Sequence, residues 1–271
     1  MAATKTLAPL RVRSRLGKYR LDRRIGEGGF ATVFAATDTL LGIKVALKIP
    51  HADAVTPALI AEFRREARLT MQLDHPNILP IRDASIIDGY FAIVSPLAKE
   101  TLDDRIKRRI KFETAFDILT QLFAAAAYAH DSNVIHCDIK PENVLLFDDN
   151  RVRLGDFGIA KAAMATVSGA GTGTVGFMSP DQAMGRPSKR SDVFSMGLIA
   201  YRMFAGVWPE YPFEWPMAGV APLRRRAHPD LIALIRKSIA FAPRHRYRDA
   251  PQMLKDWEKT RLKAIRFSRR R

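Results

Sequence analysis

The sequence has a single cysteine, Cys137, in 271 residues. No disulfide can form within the chain, and this sparse usage suits a reducing compartment such as the cytoplasm. Long apolar runs are also missing. The most apolar helical stretch, Phe116 to Ala129, is interrupted by Asp117, Thr120 and Gln121. It falls short of the roughly 20 residues that a bilayer-crossing helix needs. The N-terminus carries no apolar segment of signal-peptide length. These features predict a soluble, cytoplasmic chain with no membrane span. His51, His75, His228 and His245 show no metal-ligand spacing, while His130 reads as a packing residue and His136 as one that holds its loop together rather than transferring protons. Acid is in short supply: 28 Asp and Glu against 44 Lys and Arg give a net charge of +16. Such a surface favours acidic partners (nucleotide, acidic protein segments, nucleic acid or anionic lipid) without choosing among them. No nucleic-acid-binding motif is present, so nucleic acid is not the expected partner. There are no internal repeats and no long Gly/Ser linker.

What remains is ordinary globular composition, 47% apolar and 27% charged. Residues 1–17 read as a basic arm. From 18 to 97 the pattern is mostly strands around one helix, and from 98 to 260 it is mostly helical, an α+β organisation. Residues 261–271 read as a basic tail, and Trp208–Pro229, rich in Pro and Trp, reads as irregular structure between helices.

Residues 136–158 concentrate the chemistry. They run His136-Cys137-Asp138-Ile139-Lys140-Pro141-Glu142-Asn143 and then, after a short turn, Leu154-Gly155-Asp156-Phe157-Gly158. Asp138 can accept a proton, Asn143 and Asp156 offer oxygen ligands to a hard cation such as Mg²⁺, and Lys140 can offset phosphate charge. These are the parts required to move a phosphoryl group from ATP to a hydroxyl. Upstream, Tyr19, Leu21 and Ile25 alternate as in a half-buried strand leading into Gly26-Glu27-Gly28-Gly29, where backbone N–H groups can approach phosphate without a side chain in the way. In Val45-Ala46-Leu47-Lys48-Ile49, Ala46 and Lys48 share one strand face, leaving room for a flat ring beside a cation. Thr56-Pro57 reads as a helix start, and on that helix Leu59, Phe63, Glu66, Thr70 and Leu73 share a face. Glu66 thus sits in an apolar stripe, costly unless paired.

Taken in order, these segments resemble protein kinases of the bacterial serine/threonine type over residues 18–258. The resemblance implies a two-lobed kinase fold, with an antiparallel N-lobe sheet plus one helix, a hinge at 95–97 and a helical C-lobe. It implies transfer of the ATP γ-phosphoryl group to protein Ser or Thr hydroxyls, with autophosphorylation and with Mg²⁺ or Mn²⁺ as cofactor. Asp138 would orient the hydroxyl and take its proton, Lys140 would neutralise the γ-phosphate, and Thr174 would touch both. Asn143 and Asp156 would hold the metal. Gly26, Gly28 and Gly29 would cover the phosphates, and Lys48, paired with Glu66, would anchor them. Ile25, Val33, Ala46, Val94 and Leu145 would wall the base, with Val94 as gatekeeper, and the hinge Ser95-Pro96-Leu97 would donate through Leu97, since Pro96 has no N–H. Asp181, Asp192 and Arg246 would be structural: Asp192 bracing the catalytic loop, and Asp181, where the family has glutamate, pairing with Arg246. The family's third loop glycine is Ala31 here. Cys137 replaces an arginine that in many kinases receives an activation-loop phosphate, which implies weak dependence on phosphorylation of Thr166, Ser168 or Thr172. A pseudokinase scaffold and a small-molecule kinase remain as alternatives.

Overall fold

The computed structural model describes residues 10–29, 31–51, 56–157 and 176–270. Gly158, Thr166, Ser168, Thr172, Thr174 and the side chain of Leu59 lie outside the described residues. The chain divides into two compact units, Met1–Asp74 with Leu79–Ala98, and His75–Ile78 with Lys99–Arg271.

The first unit is a six-stranded antiparallel sheet and one helix. The strands are β1 (Arg15–Leu16), β2 (Tyr19–Glu27), β3 (Ala31–Asp38), β4 (Ile43–Pro50), β5 (Asp83–Ile87) and β6 (Tyr90–Pro96), in the order β1-β2-β3-β4-β6-β5. Strand alternation sends Phe34, Ala36, Val45, Leu47, Ala92 and Val94 into one apolar cluster. On the opposite face α1 (Pro57–Met71) packs Phe63 and Ala67 against Phe91 and Ile93. Arg64, Arg65 and Arg68 point to solvent. Two details depart from simple alternation. Bulges in β2 between Leu21 and Arg23 and between Arg24 and Gly26 shift its phase. Ile25 therefore leaves the buried set and is 40% exposed. Residues 10–16, read as part of an arm, are tied to the sheet: Arg13 N–H donates to the Leu21 carbonyl (2.7 Å), and Leu16 in β1 is buried.

The second unit is helical around a small hairpin. It contains β7 (Glu100–Thr101), α2 (Leu102–Ile106), α3 (Phe112–Asp131), β8 (Val144–Leu146), β9 (Val152–Leu154), α4 (Pro180–Ala183), α5 (Lys189–Ala205), α6 (Val220–Arg226), α7 (Pro229–Ser238) and α8 (Ala250–Arg269). Trp257 of α8 anchors the core. Its ring stacks on Phe116 of α3 at 4.2 Å, and its Nε1–H donates to Thr120 Oγ1 at 2.8 Å. Gly197 lets α5 approach α7, because a Cβ there would lie 2.7 Å from Ile239 Cγ2 and 2.8 Å from Ser238 Cβ.

Two elements extend beyond their sequence pattern. The Pro/Trp-rich segment contains α6, whose Val220 and Leu223, three apart, are buried, with Pro222 tolerated in the first turn. The basic tail continues α8 to Arg269. Met253, Trp257, Thr260 and Ala264 keep the helical period, and ion pairs Arg261–Asp117 (2.8 Å) and Arg269–Glu113 (3.0 Å) fasten the charged face.

Candidate active site

In the first unit, the β4 register places Lys48 opposite Val33 and Ile93, and Ala46 opposite Ala35 and Ser95. Opposed residues share a face, so these six side chains lie on the α1 side of the sheet. Because α1 covers that face, Glu66 meets Lys48, with Nζ–Oε1 at 2.8 Å and both side chains mostly buried. Lys48 also lies 5.4 Å from the Phe63 ring centroid. Val94 pairs with Leu47 on the opposite face, in the apolar cluster, and is 1% exposed. The resemblance made Val94 the gatekeeper and, with Ala46, a wall of the base. The strand register instead puts Ser95 opposite Ala46. Ser95 and Leu97 are half-buried.

The β2–β3 hairpin turn closes with Gly28 N–H donating to the Ala31 carbonyl at 2.9 Å. A Cβ at Gly29 would meet nothing within 4 Å, and at Gly26 and Gly28 only ordinary contacts of 3.6 and 3.8 Å. None of the three has positive φ. Among the described residues neither packing nor conformation therefore requires glycine here.

In the second unit, a buried carboxylate organises the loop after α3. Asp192, near the N-terminus of α5, accepts from Cys137 N–H on Oδ1 (2.9 Å) and from His136 N–H on Oδ2 (2.8 Å). His130 Nε2 also lies 2.9 Å from Oδ2. Ala250 N–H donates to His130 Nδ1 (2.9 Å), so that nitrogen holds a lone pair and Nε2 carries the proton given to Asp192. His136 is fixed in the same tautomer, since Nε2 reaches the Gly155 carbonyl at 2.9 Å and Nδ1 accepts from Asp138 N–H at 3.2 Å. Burial lowers the His136 pKa, which keeps the ring neutral and suits a loop-holding part.

On that frame Asp138 Oδ2 lies 3.1 Å from Asn143 Nδ2 and 3.3 Å from Lys140 Nζ. Asn143 Nδ2 also donates to the Asp138 carbonyl at 2.8 Å. The β8–β9 register pairs Val144 with Leu154. This sets Asn143 opposite Gly155, whose N–H donates to the Asn143 carbonyl at 2.9 Å, and brings Asp156 to the same end of the hairpin. Phe157 next to it is fully buried against the His136 ring, with centroids 4.6 Å apart. Asp156 (φ 56°) and Cys137 (φ 62°) both occupy the left-handed backbone region, a costly conformation for side-chain-bearing residues that the surrounding hydrogen bonds maintain. Leu145, on β8, is half-buried.

Burial, with Asp192 and Asp138 nearby, pushes the Cys137 thiol up to about 12. At pH 8 only about one thiol in 10⁴ is then ionised. In the folded protein Cys137 is expected to resist iodoacetamide, with labelling followed by mass spectrometry about 10³-fold slower than for a free cysteine and recovering on denaturation. Labelling of the native protein at the free-thiol rate would contradict this placement.

Below the loop, Arg246 is enclosed, its side chain 0% exposed. It donates to Asp181 Oδ1 (2.7 Å) and to the carbonyls of Ala240 (2.6 Å), Phe241 (2.8 Å) and Arg190 (3.2 Å). Asp181 Oδ2 accepts from Ser191 Oγ at 2.7 Å. Burial pulls the Arg246 pKa down. At Asp181 burial acts upward, but the bonds from Ser191 and Arg246 outweigh it and the carboxyl is held low. The pair is ionised at neutral pH. Sequence motifs do not reveal Gln182, whose Nε2 donates to the Cys137 carbonyl, or Ser191, or the link from α8 through His130. These contacts join residues far apart in the chain and follow no local spacing.

Comparison with known proteins shows the family and the fold. The protein kinase domain model matches residues 19–218. The serine/threonine-protein kinase PrkC of Bacillus subtilis is 33% identical over 276 residues, covering 94% of this chain and 42% of its own length. The serine/threonine-protein kinase PknA of Mycobacterium tuberculosis is 36% identical over 206 residues, covering 71% of this chain and 48% of its own length. The chain thus spans less than half the length of these relatives. The crystal structure of the Mycobacterium tuberculosis PknI kinase domain superposes with a TM-score of 0.70 at 22% identity, covering 93% of this chain and 99% of that one. The PpkA-294 apo form superposes with a TM-score of 0.77 at 20% identity, covering 92% and 99%. These two likenesses establish the α+β kinase fold. With a family match over most of its residues and relatives above 30% identity, the chain belongs to the protein kinase family.

Proposed function

We propose that the chain is a serine/threonine protein kinase that transfers the γ-phosphoryl group of ATP to Ser and Thr hydroxyls of proteins, itself included. The observation that carries this reading is the cluster at Asp138, an acceptor carboxylate 3.3 Å from the Lys140 amine and 3.1 Å from the Asn143 amide. In this reading Asp138 orients the hydroxyl and takes its proton late in transfer. Lys140 offsets the developing phosphate charge. Asp181–Arg246 and Asp192 hold these groups in place. In the first unit, Gly26, Gly28 and Gly29 leave backbone N–H groups open to phosphate, and Lys48, steadied by Glu66, anchors it. Ile25, Val33 and Ala46 line the base. The N–H of Leu97, the first after Pro96, is the backbone donor to the base.

Asn143 and Asp156 suit Mg²⁺ or Mn²⁺. One amide oxygen and one carboxylate, completed by phosphate and water, form the donor set a hard octahedral cation takes. The Asn143 Nδ2 is engaged by Asp138, which orients the amide oxygen away from it. The cation, when bound, neutralises the phosphates and fixes their geometry.

The test is incubation with γ-labelled ATP, Mg²⁺ and a protein acceptor, followed by phosphoamino-acid analysis. Label on Ser or Thr is expected. Neither nucleotide binding nor transfer would replace the proposal with a scaffold, and label on small molecules alone would replace it with a metabolite kinase. Because Cys137 brings no positive charge, alanine at Thr166, Ser168 or Thr172 is expected to leave most activity in the same assay. Loss of most activity in any one variant would overturn that expectation.

The strand phase adds a discriminating prediction. Ser95→Phe is expected to weaken use of an N⁶-benzyl ATP analogue at least tenfold relative to ATP. Val94→Phe overfills the apolar face and is expected to cost about 1–3 kcal/mol in denaturant unfolding. The reverse assignment of these two effects would restore Val94 to the base.

A further inference from the structure

The corner where α6 ends and α8 ends carries positive charge that the fold does not use. Arg224, Arg225 and Arg226 form the exposed last turn of α6. Only Ala227 separates them from His228, whose ring packs edge-on against Phe267 of α8 at 5.7 Å. Arg266 and Arg270 flank Phe267 and are exposed. Two carboxylates near this corner are already engaged, Asp230 by Lys263 (2.8 Å) with His228 Nδ1 at 3.8 Å, and Glu113 by Arg269 (3.0 Å). Arg224, Arg225, Arg226, Arg266 and Arg270 have no acidic partner among the described residues. The helix dipole favours cations at both C-termini. Five exposed guanidinium groups at the ends of these two segments exceed that need and make the corner attractive to an anion from outside.

We propose that this corner is a docking surface for an acidic segment of the protein substrate, lying apart in sequence from the phosphorylated residue. The inference rests on the kinase reading above. Arginine forks match carboxylates two bonds at a time. Leu262, 68% exposed on α8 one turn before Arg266, offers apolar contact to side chains flanking the acids. Nucleic acid is disfavoured because the two rings at the corner pack on each other rather than offering a stacking face. A bilayer is disfavoured because Leu262 alone gives little apolar surface to insert. Tethering a substrate here raises its effective concentration at Asp138 without altering the transfer step.

The experiment uses the full chain and two peptides that share one Ser/Thr acceptor sequence, one of them extended by a flexible linker and a run of Asp and Glu. The acidic extension is expected to lower KM about tenfold at low salt with kcat unchanged, and the advantage is expected to vanish near 1 M salt, where the screening length is about 3 Å. R224E/R225E/R226E is expected to abolish the advantage while turning over the short peptide as wild type does, and R224Q/R225Q/R226Q is expected to lose part of it. R11E/R13E/R15E, with the same charge change in the first unit, is expected to retain it. Equal KM for both peptides in the wild type, or an advantage that survives R224E/R225E/R226E, overturns the proposal. So does binding of anionic vesicles or duplex DNA through these arginines with no peptide effect. Failure of every protein to phosphorylate even the short peptide is a different result, and it removes the kinase reading itself.

Discussion

Asp138→Asn is expected to reduce phosphoryl transfer by about 10²–10⁴-fold while leaving the fold and nucleotide affinity nearly unchanged, the range associated with losing a positioned base. The substitution is nearly isosteric. The new amide oxygen can still accept from Asn143 Nδ2 and Lys140 Nζ, which now lie 3.1 and 3.3 Å from Asp138 Oδ2. What disappears is the negative charge and the ability to take a proton. The effect should therefore fall on kcat rather than on the KM for ATP. Single-turnover transfer with labelled ATP, alongside nucleotide binding by calorimetry, checks both halves. A variant that retains wild-type kcat would remove Asp138 from the chemistry and leave the proposed function without its central residue.

The second large effect is structural. Asp192→Asn is expected to destabilise the second unit by about 3–5 kcal/mol, the usual consequence of breaking a buried charged hydrogen-bond set. Asp192 Oδ1 serves Cys137 N–H, and Oδ2 serves both His136 N–H and the His130 ring. An amide supplies only one acceptor oxygen. Whichever way it turns, its NH₂ faces a buried N–H, and at least one donor is stranded. For a domain of this size, such a loss lowers the melting temperature by roughly 10 °C. The backbone at Cys137, in the left-handed region, would lose the contacts that hold it, and Asp138 follows directly. Thermal unfolding together with transfer activity should fall together. A stable Asp192→Asn protein with full activity would show that the loop is braced elsewhere.

Much of this molecule is legible in the chain of residues. The alternation in Val45-Ala46-Leu47-Lys48-Ile49 predicts a strand with two unlike faces, and β4 has them, because side chains on a pleated strand must alternate. Glu66 within an apolar helical stripe signals a partner, since an unpaired carboxylate there would be costly, and Lys48 supplies it at 2.8 Å. The short spacing from Asp138 to Asn143 makes their contact local. Other features depend on bulges and long-range packing. Ile25 alternates in the sequence but is exposed, because two bulges turn β2. The charged run after Thr260 reads as a tail, yet carboxylates on α3 and α7 capture it and extend α8.

The sequence alone determined which groups are available for the reaction: one acid, one amine, an amide and a second carboxylate at short spacings, together with a glycine turn and a strand lysine. Those spacings are covalent or nearly so, and local geometry follows from them. Tertiary structure alone decided which side chain shares the lysine's face, Ser95 rather than Val94, because strand phase is set by the pairing partner. It also decided that His130, Asp192 and Ala250 form one hydrogen-bonded line, and that the segment after α6 meets the end of α8 through His228 and Phe267, since such encounters depend on how helices pack and not on any spacing along the chain.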